Sequence, residues 1–269
     1  MIGVFDSGVG GLTVLKSLFE HLPGYNYVYL GDNARMPYGN KTKEEVYEYT
    51  RQAVDFLFSR GCDLIIIACN TASALALRKI QREYLPKKYL GKKVLGVIRP
   101  MAEAIVVDRA FKKVGIIGTK ATVKSKSYLR EIKKLNDELE VFCQSAPLLV
   151  PLIESGWNDE KEIIAILEKY LQPLKKAEVD LLVLACTHYP FLEKQICQVM
   201  GKGCKIYNSG EIVALSLKDY IKRHPELAIV WHPKPKLVFY TTGGVGAFKL
   251  IGDKFLGKKI EQISRIILK

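Results

Sequence analysis

Short, mostly apolar runs recur along the chain, and small or hydrogen-bonding residues follow most of them at once. Ile2 to Phe5, Tyr27 to Leu30, Leu64 to Ala68, Val94 to Val97, Val114 to Ile117, Leu181 to Ala185 and Lys205 to Tyr207 are of this kind. Their length and β-branched content predict strands. Most are continuous rather than alternating, which is the pattern of strands covered on both faces. Between them, Lys43 to Arg60, Ser73 to Tyr84, Ser125 to Leu135 and Glu160 to Ala177 space their apolar residues as amphipathic helices do. Strand and helix alternating on this scale predict an α/β fold with mainly parallel sheets.

One phrase occurs twice. Asp63 to Thr71 reads D-L-I-I-I-A-C-N-T and Asp180 to His188 reads D-L-L-V-L-A-C-T-H, so Cys69 and Cys186 each stand at the end of a predicted strand, 117 positions apart. Ile2 to Ser7 matches Val114 to Thr119 at a nearly equal offset of 112. Two pseudosymmetric halves are expected, with the chemistry in the cleft between them. The stretch Gly96-Val97-Ile98-Arg99-Pro100 is expected to cross between halves in extended form, since proline restricts the residue before it. A second crossing near Asn208-Ser209-Gly210 gives a first domain of residues 1–97 plus 210–269 and a second of 98–209.

Bulk properties narrow the class. With 269 residues and 48% apolar content the chain can bury well-formed cores. No charged segment and apolar signal core precede Ile2, no apolar run approaches the roughly 18 residues of a membrane span, and the cytoplasm is the expected compartment. Six cysteines in such a chain read as reduced thiols rather than a disulfide framework. The net charge of +13 raises the question of nucleic acid, but the basic residues are scattered pairs such as Lys112-Lys113 and Lys133-Lys134 with no interleaved aromatic stripe. The charge is read as a solvated surface that also draws anionic substrates.

Ligands of α/β sheets bind at the carboxyl ends of strands. The candidates there are Asp6-Ser7-Gly8, Gly31-Asp32-Asn33 leading to Pro37-Tyr38-Gly39, Cys69-Asn70-Thr71, Thr119 with Thr122, and Cys186-Thr187-His188. Gly8-Val9-Gly10-Gly11 is not a dinucleotide fingerprint, because Thr13 occupies the third glycine position; its glycines are expected to allow a tight turn and close backbone approach to a small ligand. Cys62, Cys143, Cys197 and Cys204 read as small core hydrophobes. Cys69 and Cys186 differ in leading directly into hydrogen-bonding residues. An ordinary thiol titrates near pH 8.5, so a thiol base needs help, which Asp6 and His188 could give. No C-x-x-C pair suggests zinc, and Leu75 and Leu192 stand where a cysteine phosphatase needs arginine. A single thiol acyl-transfer site with His188 leaves the second cysteine unexplained. Glu154, in Val150 to Gly156, is ambiguous on its own residues.

At these residues the chain resembles the glutamate racemases, of the cofactor-independent aspartate/glutamate racemase superfamily. The resemblance runs through Gly3 to Gly11, Gly31 to Gly39, Ala68 to Ser73, Gly118 to Thr122, Val150 to Glu154 and Ala185 to His188, nearly the whole chain. It implies two pseudosymmetric α/β domains with glutamate between them, no pyridoxal phosphate, no metal and a homodimer that supplies D-glutamate for peptidoglycan. It implies that Cys69 removes the α-proton of D-glutamate while Cys186 reprotonates the other face, with Asp6 beside Cys69, His188 beside Cys186, and Glu154 also involved. Substrate contacts carried over are Asp6, Ser7, Tyr38, Gly39, Asn70, Thr71, Thr119, Thr122, Thr187 and His188. Arg99, Met101 and Ala146 depart from the family pattern, but no acid-base or substrate-motif residue is lost. The alternatives are racemisation of aspartate or a related acid and, from another class, a regulatory or nucleic-acid-associated binding protein. A decarboxylase fits less well, since that pattern keeps one cysteine.

Overall fold

The structure, a computed structural model, describes residues 1–156, 159–227 and 229–269. Its strands form two sheets in which every pairing is parallel. The larger sheet contains β1 (Ile2–Asp6), β2 (Tyr27–Gly31), β3 (Leu64–Ile67), β4 (Lys93–Gly96), β9 (Leu237–Thr241) and β10 (Ile263–Arg265), in the order β10-β9-β2-β1-β3-β4. The smaller contains β5 (Lys113–Gly118), β6 (Glu140–Ser145), β7 (Leu181–Ala185) and β8 (Lys205–Tyr207), in the order β6-β5-β7-β8. The order β2-β1-β3-β4 is therefore repeated by β6-β5-β7-β8. Ile2 pairs with Leu64 as Val114 pairs with Leu181, so the internal repeat of the sequence is a repeat of topology and register.

Helices connect the strands. Around the larger sheet lie α1 (Leu12–His21), α2 (Lys43–Ser59), the short α3 (Asn70–Leu75), α4 (Leu77–Lys79) and α5 (Leu85–Lys88), and, later in the chain, α12 (Ser209–Arg223) and α13 (Val245–Leu256). The smaller sheet is served by α7 (Lys120–Ser125), α8 (Ser127–Leu135), α9 (Leu149–Glu154), α10 (Glu160–Lys176) and α11 (Glu193–Met200), and α6 (Ile98–Val107) runs between the two. Alternate strand residues face opposite cores, as the two-residue period requires. Phe5, Val28, Leu30 and Ile67 pack with Val46, Val54 and Leu57 of α2. On the far side of the molecule, Ile117, Leu182 and Leu184 pack with Leu167, Leu171 and Leu174 of α10. The remaining faces meet in one continuous core: Ile2, Val4 and Tyr29 of the first sheet and Val114, Ile116 and Val183 of the second share it with Leu15, Met101, Ile132 and Leu217. Met101, unusual for the family pattern, is thus a fully buried packing residue at the centre.

Five expectations need correction, the first being the reading of Cys143, Cys197 and Cys204 as core hydrophobes: Cys143 and Cys197 are exposed and Cys204 is half-buried. β6, β9 and β10 were not foreseen: β6 is an edge strand of half-exposed mixed residues, Glu140-Val141-Phe142-Cys143-Gln144-Ser145, and β10 is three residues long. The Ser73 to Tyr84 run is broken into α3, α4 and a π-helical turn at Ile80–Tyr84. Lys126, at φ 55°, takes the left-handed conformation and splits Ser125 to Leu135 into α7 and α8. Arg99 and Pro100 are helical, not extended. Pro100 is the third residue of α6, where its missing N–H is one the first turn leaves unpaired in any case.

Candidate active site

Loops after β1, β2, β3, β5 and β7 line a pocket of about 390 Å³, part of it open to solvent. Ser7, Tyr38, Gly39, Cys69, Asn70 and Thr71 border it from the larger sheet. Thr119, Glu154, Cys186, Thr187 and His188 border it from the smaller. Two expected site residues, Asp6 and Thr122, stand behind this lining and bond to it. Cys69, Cys186, Asn70, Thr71, Thr187 and His188 are all buried.

Cys69 follows β3 and caps α3. Its sulfur accepts the Ala72 N–H at 3.4 Å and donates to Ser7 Oγ at 3.4 Å. Burial pushes the Cys69 thiol up to about 12, helped by the negative charge of Asp6 and opposed by the hydrogen bonds with Ser7 and Ala72. Asp6, at the end of β1, is completely buried. Its carboxylate accepts the Gly8 N–H at 2.9 Å and, from the opposite side of the cleft, the Thr187 hydroxyl at 3.2 Å. Burial raises the Asp6 carboxyl above its ordinary value, against the pull of the His188 cation. A carboxylate so raised is a stronger proton acceptor.

Cys186 has a different neighbour. It leads into the 3₁₀ turn Tyr189–Leu192, and His188, two residues on, bonds through Nε2 to Glu154 Oε1 at 2.7 Å. Burial alone would push the imidazole down, but the influence of the neighbouring Cys186 and Glu154 outweighs it and lifts His188 to about 10. His188 is thus buried and held against a carboxylate. Glu154, ambiguous on its own residues in the sequence, is brought in by the C-terminal end of α9.

The remaining polar groups form a closed net across the cleft. Thr71 Oγ1 lies 2.9 Å from Thr119 Oγ1 and 3.1 Å from Thr122 Oγ1, and those two are 3.0 Å apart. Thr119 also caps α7. Asn70 Oδ1 accepts the Tyr128 hydroxyl at 2.5 Å, while the buried Asn70 Nδ2 has no partner. Tyr38 lines the cavity, but its hydroxyl is turned to Asp32 Oδ2 at 2.5 Å. Asp32 also binds Arg35 at 2.7 Å and Thr242 at 2.6 Å, so this end-of-β2 carboxylate anchors the Tyr38 loop.

Close approach of the halves depends on glycine. A Cβ on Gly10 would collide with Thr187 Oγ1 and His188, and one on Gly39 would sit 2.7 Å from Thr119 Cβ. What the glycine of the first loop admits is therefore the opposite wall of the site. Tyr128 went unnoticed in sequence because a tyrosine on the apolar face of a helix has no distinguishing signal.

The Asp/Glu/Hydantoin racemase family model matches residues 2–215. A glutamate racemase from Geobacter metallireducens is 39% identical over 267 residues, covering 99% of this chain and 96% of the relative. Among solved structures, the glutamate racemase isoform RacE1 from Bacillus anthracis superposes with a TM-score of 0.92 at 35% identity, covering 100% of this chain and 97% of that one. The Francisella tularensis glutamate racemase in complex with D-glutamate superposes at 0.89 with 30% identity, covering 99% and 97%.

Proposed function

Since the chain belongs to the Asp/Glu/Hydantoin racemase family, we propose that it interconverts L- and D-glutamate by two-base proton transfer. The observation that carries the reading is the pair of cysteines, delivered by corresponding strands to one pocket lined with hydroxyl and amide groups. Cys69, as thiolate, takes the α-proton of D-glutamate. The C–H electron pair delocalises into the adjacent carboxylate, and Cys186 gives its thiol proton to the opposite face. L-Glutamate leaves Cys69 as thiol and Cys186 as thiolate, the state from which the reverse reaction begins. Asp6 assists Cys69 as proton acceptor, and the Glu154–His188 pair assists Cys186. The substrate ammonium brings positive charge to a site whose burial otherwise holds Cys69 protonated. Ser7, Asn70, Thr71, Thr119, Thr122 and Thr187 cradle the carboxylates, with Tyr38 and Gly39 shaping the wall.

The two lobes are 1–97 plus 210–269 and 98–209. The family resemblance supports a cytoplasmic homodimer that supplies D-glutamate for peptidoglycan. Among the described residues no helix is long and apolar enough to cross a membrane. The test is incubation with L-glutamate, and separately L-aspartate, in heavy water, followed by polarimetry and by NMR of the α-position. Loss of optical rotation with α-deuteration of glutamate is expected. Faster exchange of aspartate, or salt-dependent DNA binding with no turnover, would overturn the reading.

A further inference from the structure

Asn70 borders the cavity, is 2% exposed, and carries a buried Nδ2 with no partner. Its other amide atom is engaged from across the cleft, where Tyr128 donates to Oδ1 at 2.5 Å. An amide is nearly isosteric under rotation by half a turn, so something must decide whether it offers a ligand its donor or its acceptor. We propose that Tyr128 is a positioning residue: its hydroxyl fixes the Asn70 amide with the NH₂ group toward the cavity, where it donates to a carboxylate of the substrate. This rests on the glutamate reading above.

Two further features build this arrangement. The left-handed Lys126 ends α7 and starts α8 afresh, so Ser127 and Tyr128 occupy its first turn. Ser127 Oγ donates to the Ala74 carbonyl at 3.0 Å while Tyr128 reaches Asn70, so α8 grips one full turn of α3 through adjacent residues. Burial also raises the Tyr128 phenol well above its ordinary range, so it remains a donor throughout the working pH range. A ligand carboxylate meeting a flipped Asn70 would face a carbonyl oxygen instead of a donor, and would be repelled.

The test is Tyr128→Phe, which removes one hydroxyl and keeps the ring packed, assayed beside the unmutated enzyme and Asn70→Ala. KM for both glutamate enantiomers is expected to rise about 5- to 10-fold in Tyr128→Phe, the size of one ordinary hydrogen bond. kcat should change by less than about threefold, as for lost binding common to ground and transition states. In an Asn70→Ala background, Tyr128→Phe should add nothing further to KM. Equal KM values for Tyr128→Phe and unmutated enzyme, or effects that multiply in the double variant, would overturn the proposal. Unmutated enzyme that fails to racemise glutamate would overturn the underlying reading and the proposal together. A lowered melting temperature with unchanged KM would assign Tyr128 a structural role only, which also overturns it.

Discussion

Cys69 and Cys186 occupy equivalent places on β3 and β7, yet their sulfurs have unlike company. One touches Ser7 and a helix N–H, the other a histidine held by Glu154. Replacing either by alanine should abolish steady-state racemisation, a loss at or beyond the roughly 10²- to 10⁴-fold attributed to acid–base groups, with the circular dichroism of the fold retained. The His188–Glu154 pair gives a signature in stability as well. Because folding raises His188 from its ordinary value near 6.5 to about 10, the pair's contribution is complete below pH 6.5 and is lost as pH climbs toward 10. The melting temperature should therefore fall across that window, and fall less steeply in Glu154→Gln; parallel curves would refute this. In the sequence, the cysteines, Asp6 and the threonines were legible because each follows a strand. Glu154 was visible through resemblance alone and Tyr128 not at all, because both come from helices whose placement against the cleft is a tertiary fact.

At the scale of elements, α2 is the clearest case of local sequence setting local structure. Thr42 Oγ1 accepts the Glu45 N–H at 3.2 Å and Glu45 accepts the Thr42 N–H at 2.8 Å, a reciprocal cap at the start of the helix. Thr42→Ala should lower stability by about 1 kcal/mol in urea unfolding, while kcat stays within about twofold because the cap lies outside the cavity lining. The Lys43 to Arg60 and Glu160 to Ala177 patterns carried their helices nearly to the residue, since each has an acidic first turn and a cap. The elements that escaped were those whose identity depends on partners. β6 has half-exposed edge residues, and β9 and β10 are held as strands by pairing with β2 and with each other. Arg99 illustrates the same point. Its side chain, paired with Glu103 at 2.7 Å and Glu131 at 3.4 Å, sits in the helical first turn of α6 despite the proline that follows.

For the molecule as a whole, catalysis requires two walls to meet at one small ligand, and Gly10 sets how near they come. Gly10→Ala should lower kcat/KM by on the order of 10²-fold, since a misplacement of about 1 Å at reacting groups has that effect, with an overpacking cost of about 1–3 kcal/mol. Wild-type kinetics in this variant would show that the walls do not need this approach. The twofold plan of the molecule could be read in the sequence, because the Ala-Cys phrase and the opening strands repeat at similar offsets. The shared apolar core could not, because residues such as Ile116 and Leu217 carry no mark of which sheet they will face. Either half expressed alone would expose to water the apolar layer that now joins the two sheets, so the two halves hold each other in solution as well as holding the site between them.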